Sequence, residues 1–329
     1  MIEIKILCGF RYFKIDHNIE FDVNPFTLTS NLKILQEEFQ NNEFEILFGK
    51  AIISDSINDS SYGYHLTRFE EVYDQTLSQN IKNKFSLGIN RIDGLLKYLW
   101  FIKDCCCQRT AVLLNVSKKD VLFVTNSPLT TLSDGTCSNS AFSSEELQRT
   151  ISIATKISEI SKHNSSIVKA QYENIQFGFN LPDSTQGTYN AGSRIDRALM
   201  FLSQARNTAF IPLKIAMYVS ILECLFASSN DNSEIIHKIA ERFANYIGGS
   251  LEEKIINFKF LKATYNIRSK LLHGSKLPKE NSIKDSSLNV TSRELDRLLR
   301  IVLTKVIMYD SKEFLMDDMN DYYLKLTFR

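Results

Sequence analysis

The segment FIPLKIAMYVSILECLF, residues 210–226, is apolar on almost every side of a helix. A helix of this kind is buried all round, so we predict that it lies at the centre of a helical bundle. A membrane span is the alternative interpretation. Lys214 and Glu223 lie well inside the segment, and each such charge costs about 2.5–3.5 kcal/mol at the centre of a bilayer. The sequence therefore predicts a core helix and no membrane as a partner.

Further helices are predicted on both sides of this segment. Ser143 and Glu146 have capping-box spacing, and so do Ser250 and Glu253. In such a box each side chain satisfies the free backbone N–H of the other residue at a helix start. The second box opens a helix that runs to about His273. Apolar residues recur at helical spacing through this region: Ile153, Ile157, Ile160, Ile195, Leu199, Leu202, Ile235, Ile239, Phe243, Leu295, Leu299 and Val302.

The last part of the chain gives weaker signals for its element boundaries. Gly248 and Gly249 suit the left-handed turn that follows a helix. Thr291 and Glu294 have the spacing of another helix start. Residues 322–328 are predicted to form a strand or an extended tail.

The first part of the chain has a different pattern, which predicts mixed α and β structure. Residues 2–8 alternate apolar and polar side chains, as a half-buried strand does. Residues 19–23 and 44–54 are predicted as strands because they are rich in Phe, Ile and Leu. Residues 121–124 are a further short strand. Residues 91–107 change to helical spacing.

A loop rich in Ser, Thr, Asn and Gly covers residues 126–140, and we place the domain boundary there. The predicted organisation is a mixed α/β domain over residues 1–140, which is a candidate sensor or regulatory domain, and a helical domain over residues 141–329. The fold class is therefore α+β.

Composition limits the classes of function. The chain has 329 residues, with 39 Lys and Arg against 38 Asp and Glu, so no global positive charge indicates nucleic-acid binding. The six cysteines have neither zinc-site spacing nor a disulfide pattern. We expect buried or partly buried thiols in a reducing, cytoplasmic setting, and no metal or cofactor. The N-terminus lacks a signal-peptide pattern.

The segment YNIRSKLLHG, residues 265–274, carries the candidate chemistry. Arg268 and His273 are about 7.5 Å apart along a helix axis and about 140° apart around it, so a partner helix or subunit is needed to complete a site. Arginine can bind a phosphate bidentately, and a histidine at a helix end can transfer protons near neutral pH. A surface arginine beside a capping histidine is the simpler interpretation.

This segment resembles the Arg-x4-6-His motif of HEPN domains, with the polar Ser269 after the arginine. The surrounding order is similar to the Apea-like branch of that family. An amphipathic helix at 194–206 precedes the ILECL of 221–225, the IAER of 239–242 and the motif segment, so the resemblance covers roughly 143–310. It implies that the helical domain is an all-α HEPN helical bundle, which follows the N-terminal mixed α/β domain predicted above.

The resemblance also implies an activity and its residues. It implies a homodimer formed through the HEPN domain, with two Arg–His pairs at a shared cleft, and metal-independent cleavage of RNA by the neighbouring 2′-OH, leaving a cyclic phosphate. His273 is then assigned to proton transfer and Arg268 to the charge of the transition state. Ser269, Tyr265 and Lys270 are expected to support them. The family further implies a toxin or anti-phage defence effector, with a trigger or regulator bound by the N-terminal domain.

Two features around the motif have open alternatives. A carboxylate in an apolar helix needs a partner, so Glu223 is either a structural partner of a cation such as Arg206 or Arg242, or the residue that orients Arg268. Five lysines give the motif region local positive charge. The surface that they form is either an ordinary solvated face or a binding surface for the RNA backbone. These lysines are Lys259, Lys262, Lys270, Lys276 and Lys279.

Two other functions stay open at this point. One is a non-catalytic HEPN dimerisation or nucleotide-binding scaffold in a larger complex, although such a scaffold has no need for both Arg268 and His273. The other is a regulatory protein in which the motif is accidental. A monomer with both residues packed away from any cleft would favour that last interpretation.

Overall fold

The computed structural model describes residues 1–16, 19–57, 61–124, 129–164, 192–228, 231, 234–277, 288–316 and 318–328. The chain divides into two compact units, one formed by Met1–Leu132 with Cys137–Ala154 and the other by Ser133–Thr136 with Thr155–Arg329. The predicted domains, 1–140 and 141–329, stay a prediction, since compactness alone does not define a domain. The predicted α+β class is confirmed, because a sheet occupies the first part and helices follow it.

The first unit is built on an antiparallel sheet. The strands are β1 Ile2–Arg11, β2 Phe13–Ile15, β3 Glu20–Val23, β4 Phe26–Thr29, β5 Tyr62–Phe69, β6 Gln108–Val116, β7 Asp120–Val124 and β8 Ser140–Phe142. The sheet has the strand order β3-β4-β5-β1-β6-β7, and every neighbouring pair in it is antiparallel, while β2 and β8 form a separate parallel pair. The strands predicted at 2–8, 19–23 and 121–124 are confirmed.

Helices cover both faces of this sheet. Successive side chains of a strand point to opposite faces, so neighbouring residues of one strand pack against different helices. Leu7 and Leu113 pack with three short helices, α1 (Leu32–Glu38), α2 (Asn42–Phe48) and α3 (Lys50–Ser56). On the other face, Ile4 and Ile6 lie towards the long helix α4 (Gln75–Tyr98).

The strand predicted at 44–54 is wrong, since this segment forms α2 and α3. The Asn41 side chain accepts a hydrogen bond from the Phe44 backbone N–H at 2.9 Å, which caps the start of α2. Phe44 and Phe48, four residues apart, then bury the same helix face. Gly49 has a φ of 85° and separates the two helices. Local capping therefore outweighs the strand propensity of the apolar residues.

The helix predicted at 91–107 is right in type but wrong in extent. It begins at Gln75 and ends at Tyr98, followed by a short 3-10 turn at Leu99–Phe101. Residues Ile92 and Leu95 are buried, as their spacing predicted. The three adjacent cysteines lie beyond the helix and lead into β6.

The described elements after Phe142 are all helices. Both predicted capping boxes are present: the Ser143 N–H lies 3.1 Å from Glu146 Oε2, and the Ser250 N–H lies 2.7 Å from Glu253 Oε2. The bounds are α5 Ser144–Asn164, α6 Arg194–Arg206, α7 Ile211–Phe226, α8 Ile235–Ile247, α9 Leu251–Leu272, α10 Leu288–Met308, α11 Ser311–Phe314 and α12 Asn320–Thr327.

Helix α7 is the centre of the second unit, as its apolar sequence predicted. It packs against α6, α8, α9 and α10, and Ile215, Val219 and Leu222 on it are buried. Across the described residues, no helix combines the length and the apolar character needed to cross a membrane.

Two predictions about the end of the chain need correction. Residues 322–328, predicted as a strand or tail, lie mostly in helix α12, because Tyr323 and Leu326 bury one helix face and the Tyr323 hydroxyl donates to the Leu225 carbonyl at 2.7 Å. Helix α10 begins at Leu288, three residues before the predicted start at Thr291.

Candidate functional site

Helix α9 carries the motif, and both of its ends are fixed by hydrogen bonds. Its start has the capping box described above. At its end, the Ser275 N–H donates to the Lys270 carbonyl at 2.9 Å and the Gly274 N–H donates to the Leu271 carbonyl at 3.1 Å, which is the Schellman pattern. Gly274 has a φ of 66°. His273 is therefore held in a defined backbone position as the C-cap residue.

Arg268 is held by two side chains. Its Nη2 lies 2.8 Å from Glu223 Oε2 on α7, and its Nη1 donates to the Tyr265 hydroxyl at 3.2 Å. The Tyr265 hydroxyl in turn is hydrogen-bonded to the Glu223 carboxylate. The three side chains close a triangle, which we call the Arg268 triangle, between α9 and the central helix.

The arrangement bears on the two alternatives for Glu223. Its observed partner is Arg268, while Arg242 instead forms an ion pair with Asp231 at 2.6 Å. The geometry is therefore that of a residue that orients Arg268. Whether this orientation serves catalysis stays a prediction.

Burial sets the electrostatics of the Arg268 triangle. Burial raises the pKa of Glu223, and the nearby Arg268 charge opposes that rise only in part. Burial and the Glu223 charge together raise the pKa of Tyr265. Arg268 Nε is buried and, among the described residues, has no hydrogen-bond partner. A carboxyl whose ionisation is disfavoured and an incompletely satisfied guanidinium are typical of functional sites.

The other predicted site residues, Ser269, Lys270 and His273, follow Arg268 towards the end of α9. His273 and Lys270 are exposed, and Ser269 is half-buried. Arg268 and His273 are about 140° apart around the helix axis, as their spacing requires. One chain therefore brings together Glu223, Tyr265 and Arg268 but does not bring His273 to them.

The outward side of α9 has two halves with different chemistry. Leu251, Ile255 and Ile256 in the first half are 68%, 42% and 64% exposed. The second half carries the exposed Lys259 and Lys262, followed by Lys270 and His273. We call the first half the apolar half and the second the basic half. Lys276 is also exposed, and Lys279 lies outside the described residues.

The apolar half was not predicted from the sequence. A signal for it was present, because Leu251, Ile255 and Ile256 fall outside the buried stripe formed by Leu261, Thr264 and Ile267. A helix that is apolar on two sides has more than one packing partner.

The thiols agree with their prediction except at one position. Cys8, Cys105, Cys106 and Cys107 are buried and Cys224 is partly buried, but Cys137 is exposed. Cys137 lies in the irregular segment before β8. No cluster of three or more His, Cys, Asp or Glu side chains suited to a metal ion occurs in the part of the chain that is described.

Comparisons of the chain with protein-family models, with curated proteins and with solved structures found no match. The functional proposal therefore rests on the residues of the site and on the resemblance of its motif.

Proposed function

We propose that this chain is a metal-independent HEPN endoribonuclease, in which Arg268 and His273 act at a cleft between two copies. The observation that carries the proposal is the Arg268 triangle: the motif arginine is oriented by a carboxylate on the central helix, while the motif histidine is exposed at the end of the same helix. In this proposal the helices from α5 to α10 form the HEPN bundle.

The dimer is supported by the geometry of α9. Arg268 and His273 are on different sides of the helix, and a second copy would bring an arginine and a histidine to one phosphate. The apolar half of α9 supplies a surface for that contact, since large apolar side chains such as Leu251 and Ile256 gain about 1.5–3 kcal/mol each when fully buried. The basic half then lies beside the interface.

The chemistry follows from these residues. The 2′-oxygen of the RNA attacks the adjacent phosphorus, the bond to the 5′-oxygen breaks, and a cyclic phosphate forms. His273 transfers a proton to or from these oxygens. Arg268 has five N–H donors, of which two are engaged by Glu223 and Tyr265, so others can stabilise the phosphorane-like charge. Lysines of the basic half, Lys259 and Lys262 among them, attract the RNA backbone.

The wider role is part of the same proposal. The family resemblance supports a toxin or anti-phage effector, and the first unit would then bind the trigger or the regulator. No cofactor takes part in this chemistry.

The decisive experiment is RNA cleavage by the full chain in excess EDTA, beside Arg268→Ala and His273→Ala. Matched controls are Arg297→Ala, an exposed arginine paired with Glu294 on α10, and His237→Ala, an exposed histidine on α8. We expect cleavage with cyclic-phosphate ends by the parent and both controls, and none by the motif variants. Cleavage that needs metal, or that survives both motif substitutions, would show that the site is wrong.

A second candidate is the non-catalytic HEPN dimerisation or nucleotide-binding scaffold. The observation in its favour is that Arg268 already has two partners within its own chain, as a purely structural arginine does. A parent that dimerises and never cuts RNA, together with a His273→Ala variant that binds the same partners, would establish this alternative.

A further inference from the structure

A cavity of about 590 Å³ lies in the first unit, between the sheet and α4. Its floor is formed by β1 and β5, where Ile6 pairs with His65 and Ile4 pairs with Thr67. Its roof is one side of α4, and the turn between β3 and β4 closes one end. The helical residues of the lining are Leu77, Asn80, Ile81, Lys84, Phe85, Leu87 and Arg91.

Several contacts hold α4 against the rest of the unit, among them the ion pair of Asp93 with Arg109 on β6 at 2.8 Å. Near its start, Asp120 accepts hydrogen bonds from Ser78 Oγ at 2.5 Å and forms an ion pair with Lys82 at 3.0 Å. Further along, Gly88 packs so closely on Pro25 that a Cβ there would lie 2.7 Å from the proline Cδ. Between these anchors the helix spans the sheet.

The floor between the anchors is apolar on β1, where Ile4 and Ile6 lie, and partly polar on β5. The residues of β5 that point into the cavity include His65 and Thr67, which are polar and half-buried. Protein interiors are normally packed to crystal-like density, and ligand cavities are typically about 300–1,000 Å³. A space of this size, with apolar walls and a few polar groups, has the character of a binding site.

The charges at the cavity favour an anion. Lys84 is exposed and, in the described part of the chain, has no ion-pair partner. Arg91 donates one Nη1 hydrogen bond to the Asn24 carbonyl at 2.6 Å, which leaves further N–H groups for a ligand. Glu71 is the acidic residue among the described residues of the lining. Two cations therefore face one carboxylate.

His65 adds a polar contact of defined character. Its ring is hydrogen-bonded to the Pro25 carbonyl, and burial, with the Lys84 charge, lowers its pKa. A neutral imidazole that donates from one nitrogen accepts at the other. A ligand that carries a hydrogen-bond donor near its apolar body is therefore complementary to His65.

We propose that this cavity binds a small amphipathic anion, with its apolar body against the partly exposed Phe69, Leu77 and Leu87 of the lining and its carboxylate, sulfonate or phosphate at Lys84 and Arg91. The site lies wholly within the first unit and stands whether or not the chain cleaves RNA. The proposal assigns the first unit a chemical class of ligand, which the sequence of the N-terminal region did not reveal.

Two dyes test the proposal with the full-length chain. One is 8-anilinonaphthalene-1-sulfonate, and the other is N-phenyl-1-naphthylamine, which has the same aromatic body without the sulfonate. We expect saturable binding of the sulfonate dye with one site per chain, measured by fluorescence titration. The uncharged dye should bind roughly threefold to tenfold more weakly, since it lacks the charge-assisted hydrogen bonds.

Variants locate the binding. Lys84→Met and Arg91→Met should lower the affinity for the sulfonate dye to that of the uncharged dye and leave the uncharged dye unaffected. Thr67→Phe should fill the cavity and weaken both dyes. Lys97→Met, on α4 but outside the cavity lining, is the control that should change neither. Circular dichroism checks that each variant is folded.

The results that would overturn the proposal are specific. They are an absence of saturable binding by either dye, equal affinities for the two dyes, or a sulfonate affinity that Lys84→Met and Arg91→Met leave unchanged. If Thr67→Phe does not fold, the two cation variants still decide the matter, because their side chains are at the exposed rim.

Discussion

The Arg268 guanidinium on α9 lies 2.8 Å from the Glu223 carboxylate on α7, and the two side chains are 21% and 23% exposed. The ion pair therefore joins the motif helix to the central helix of its unit at a point that water reaches only in part. A pair in this setting interacts more strongly than one on the open surface. The position of Arg268 is thus determined by the most buried helix of the second unit.

The first prediction concerns the energy of this pair. In a double-mutant cycle with Glu223→Gln and Arg268→Met, we expect a coupling of about 1–3 kcal/mol in the free energy of unfolding. The reason is that each single substitution leaves a partly buried polar group without its partner. Urea denaturation followed by circular dichroism measures the four stabilities.

The control for this cycle uses the same helices. Glu223→Gln combined with Lys262→Met, on the exposed side of α9, should give additive effects. If the effects of Glu223→Gln and Arg268→Met on the free energy of unfolding were also additive, Glu223 would not orient Arg268.

The second prediction concerns pH. Because the pKa of Glu223 is raised above its usual value of 4.5, the folded state binds the proton more tightly than the unfolded state does. The stability from this group is therefore fully present below the unfolded pKa and is lost as the pH rises through the folded pKa. Glu223→Gln keeps a neutral side chain at every pH. The melting temperature of the parent, relative to that of this variant, should fall between pH 4 and pH 8.

A constant difference in melting temperature across that range would contradict a raised pKa at Glu223. A difference that grows in favour of the parent as the pH rises would mean that Arg268 outweighs burial and lowers the pKa instead.

The helices and strands that were predicted correctly are those whose signal lies within a short stretch of the sequence. The helix starts at Ser143 and Ser250 were predicted from capping spacing, and α7 was predicted from its apolar character. By contrast, β6 was not predicted, although every residue of Gln108–Val116 is buried. A strand covered on both sides has no alternation to detect, and one of its pairing partners, β1, is far from it in the sequence.

The site residues likewise divide into those with a local sequence signal and those brought together only by the fold. The motif residues Arg268 and His273 and the partner Glu223 could be selected from the sequence, since helical spacing and a charge in an apolar segment are local signals. The cavity of the first unit could not be, because Ile4, His65 and Lys84 come from three separate segments. Only the strand register and the anchoring of α4 bring them together.

The third prediction compares two glycines that both have open space around them. A Cβ on Gly274 or on Gly94 would meet nothing within 4 Å, but Gly274 has a φ of 66° and Gly94 is inside α4. Gly274→Ala should destabilise the fold by about 1 kcal/mol through backbone strain. Gly94→Ala should stabilise it by about 0.5–1 kcal/mol. Thermal denaturation of both variants measures the difference.

Gly274→Asn completes this comparison, because asparagine tolerates the left-handed conformation better than alanine. Its stability should lie between those of the parent and Gly274→Ala. Equal stability of the parent and Gly274→Ala would show that the turn after His273 is not held in the left-handed conformation.

The fourth prediction concerns the thiols. Cys137 is exposed, so it should react first with iodoacetamide at neutral pH. Burial raises the pKa of Cys106 to about 12 and that of Cys224 to about 11, so few thiolates form there. Peptide mass spectrometry at short reaction times should find the label on Cys137. Cys137→Ser should remove the fast phase, and early labelling of Cys106 would contradict the structure.

The fifth prediction tests whether Arg268 and His273 act across a dimer. It applies once the parent has been shown to cut RNA. Arg268→Ala and His273→Ala should each be inactive, but a mixture of the two, allowed to exchange subunits, should recover activity. In a mixed dimer, the intact arginine of one copy meets the intact histidine of the other at one of the two composite sites.

The size of the recovery follows from the symmetry. Random exchange makes about half of the dimers mixed, and each mixed dimer has one complete site of two, so about a quarter of the parent activity is expected. Mixing either inactive variant with the double variant Arg268→Ala/His273→Ala provides the control and should recover nothing, because no composite site then holds both residues. If the two residues worked within one chain instead, the first mixture would stay inactive too, and the 140° between them would have to be closed by a rearrangement of α9 rather than by a second copy.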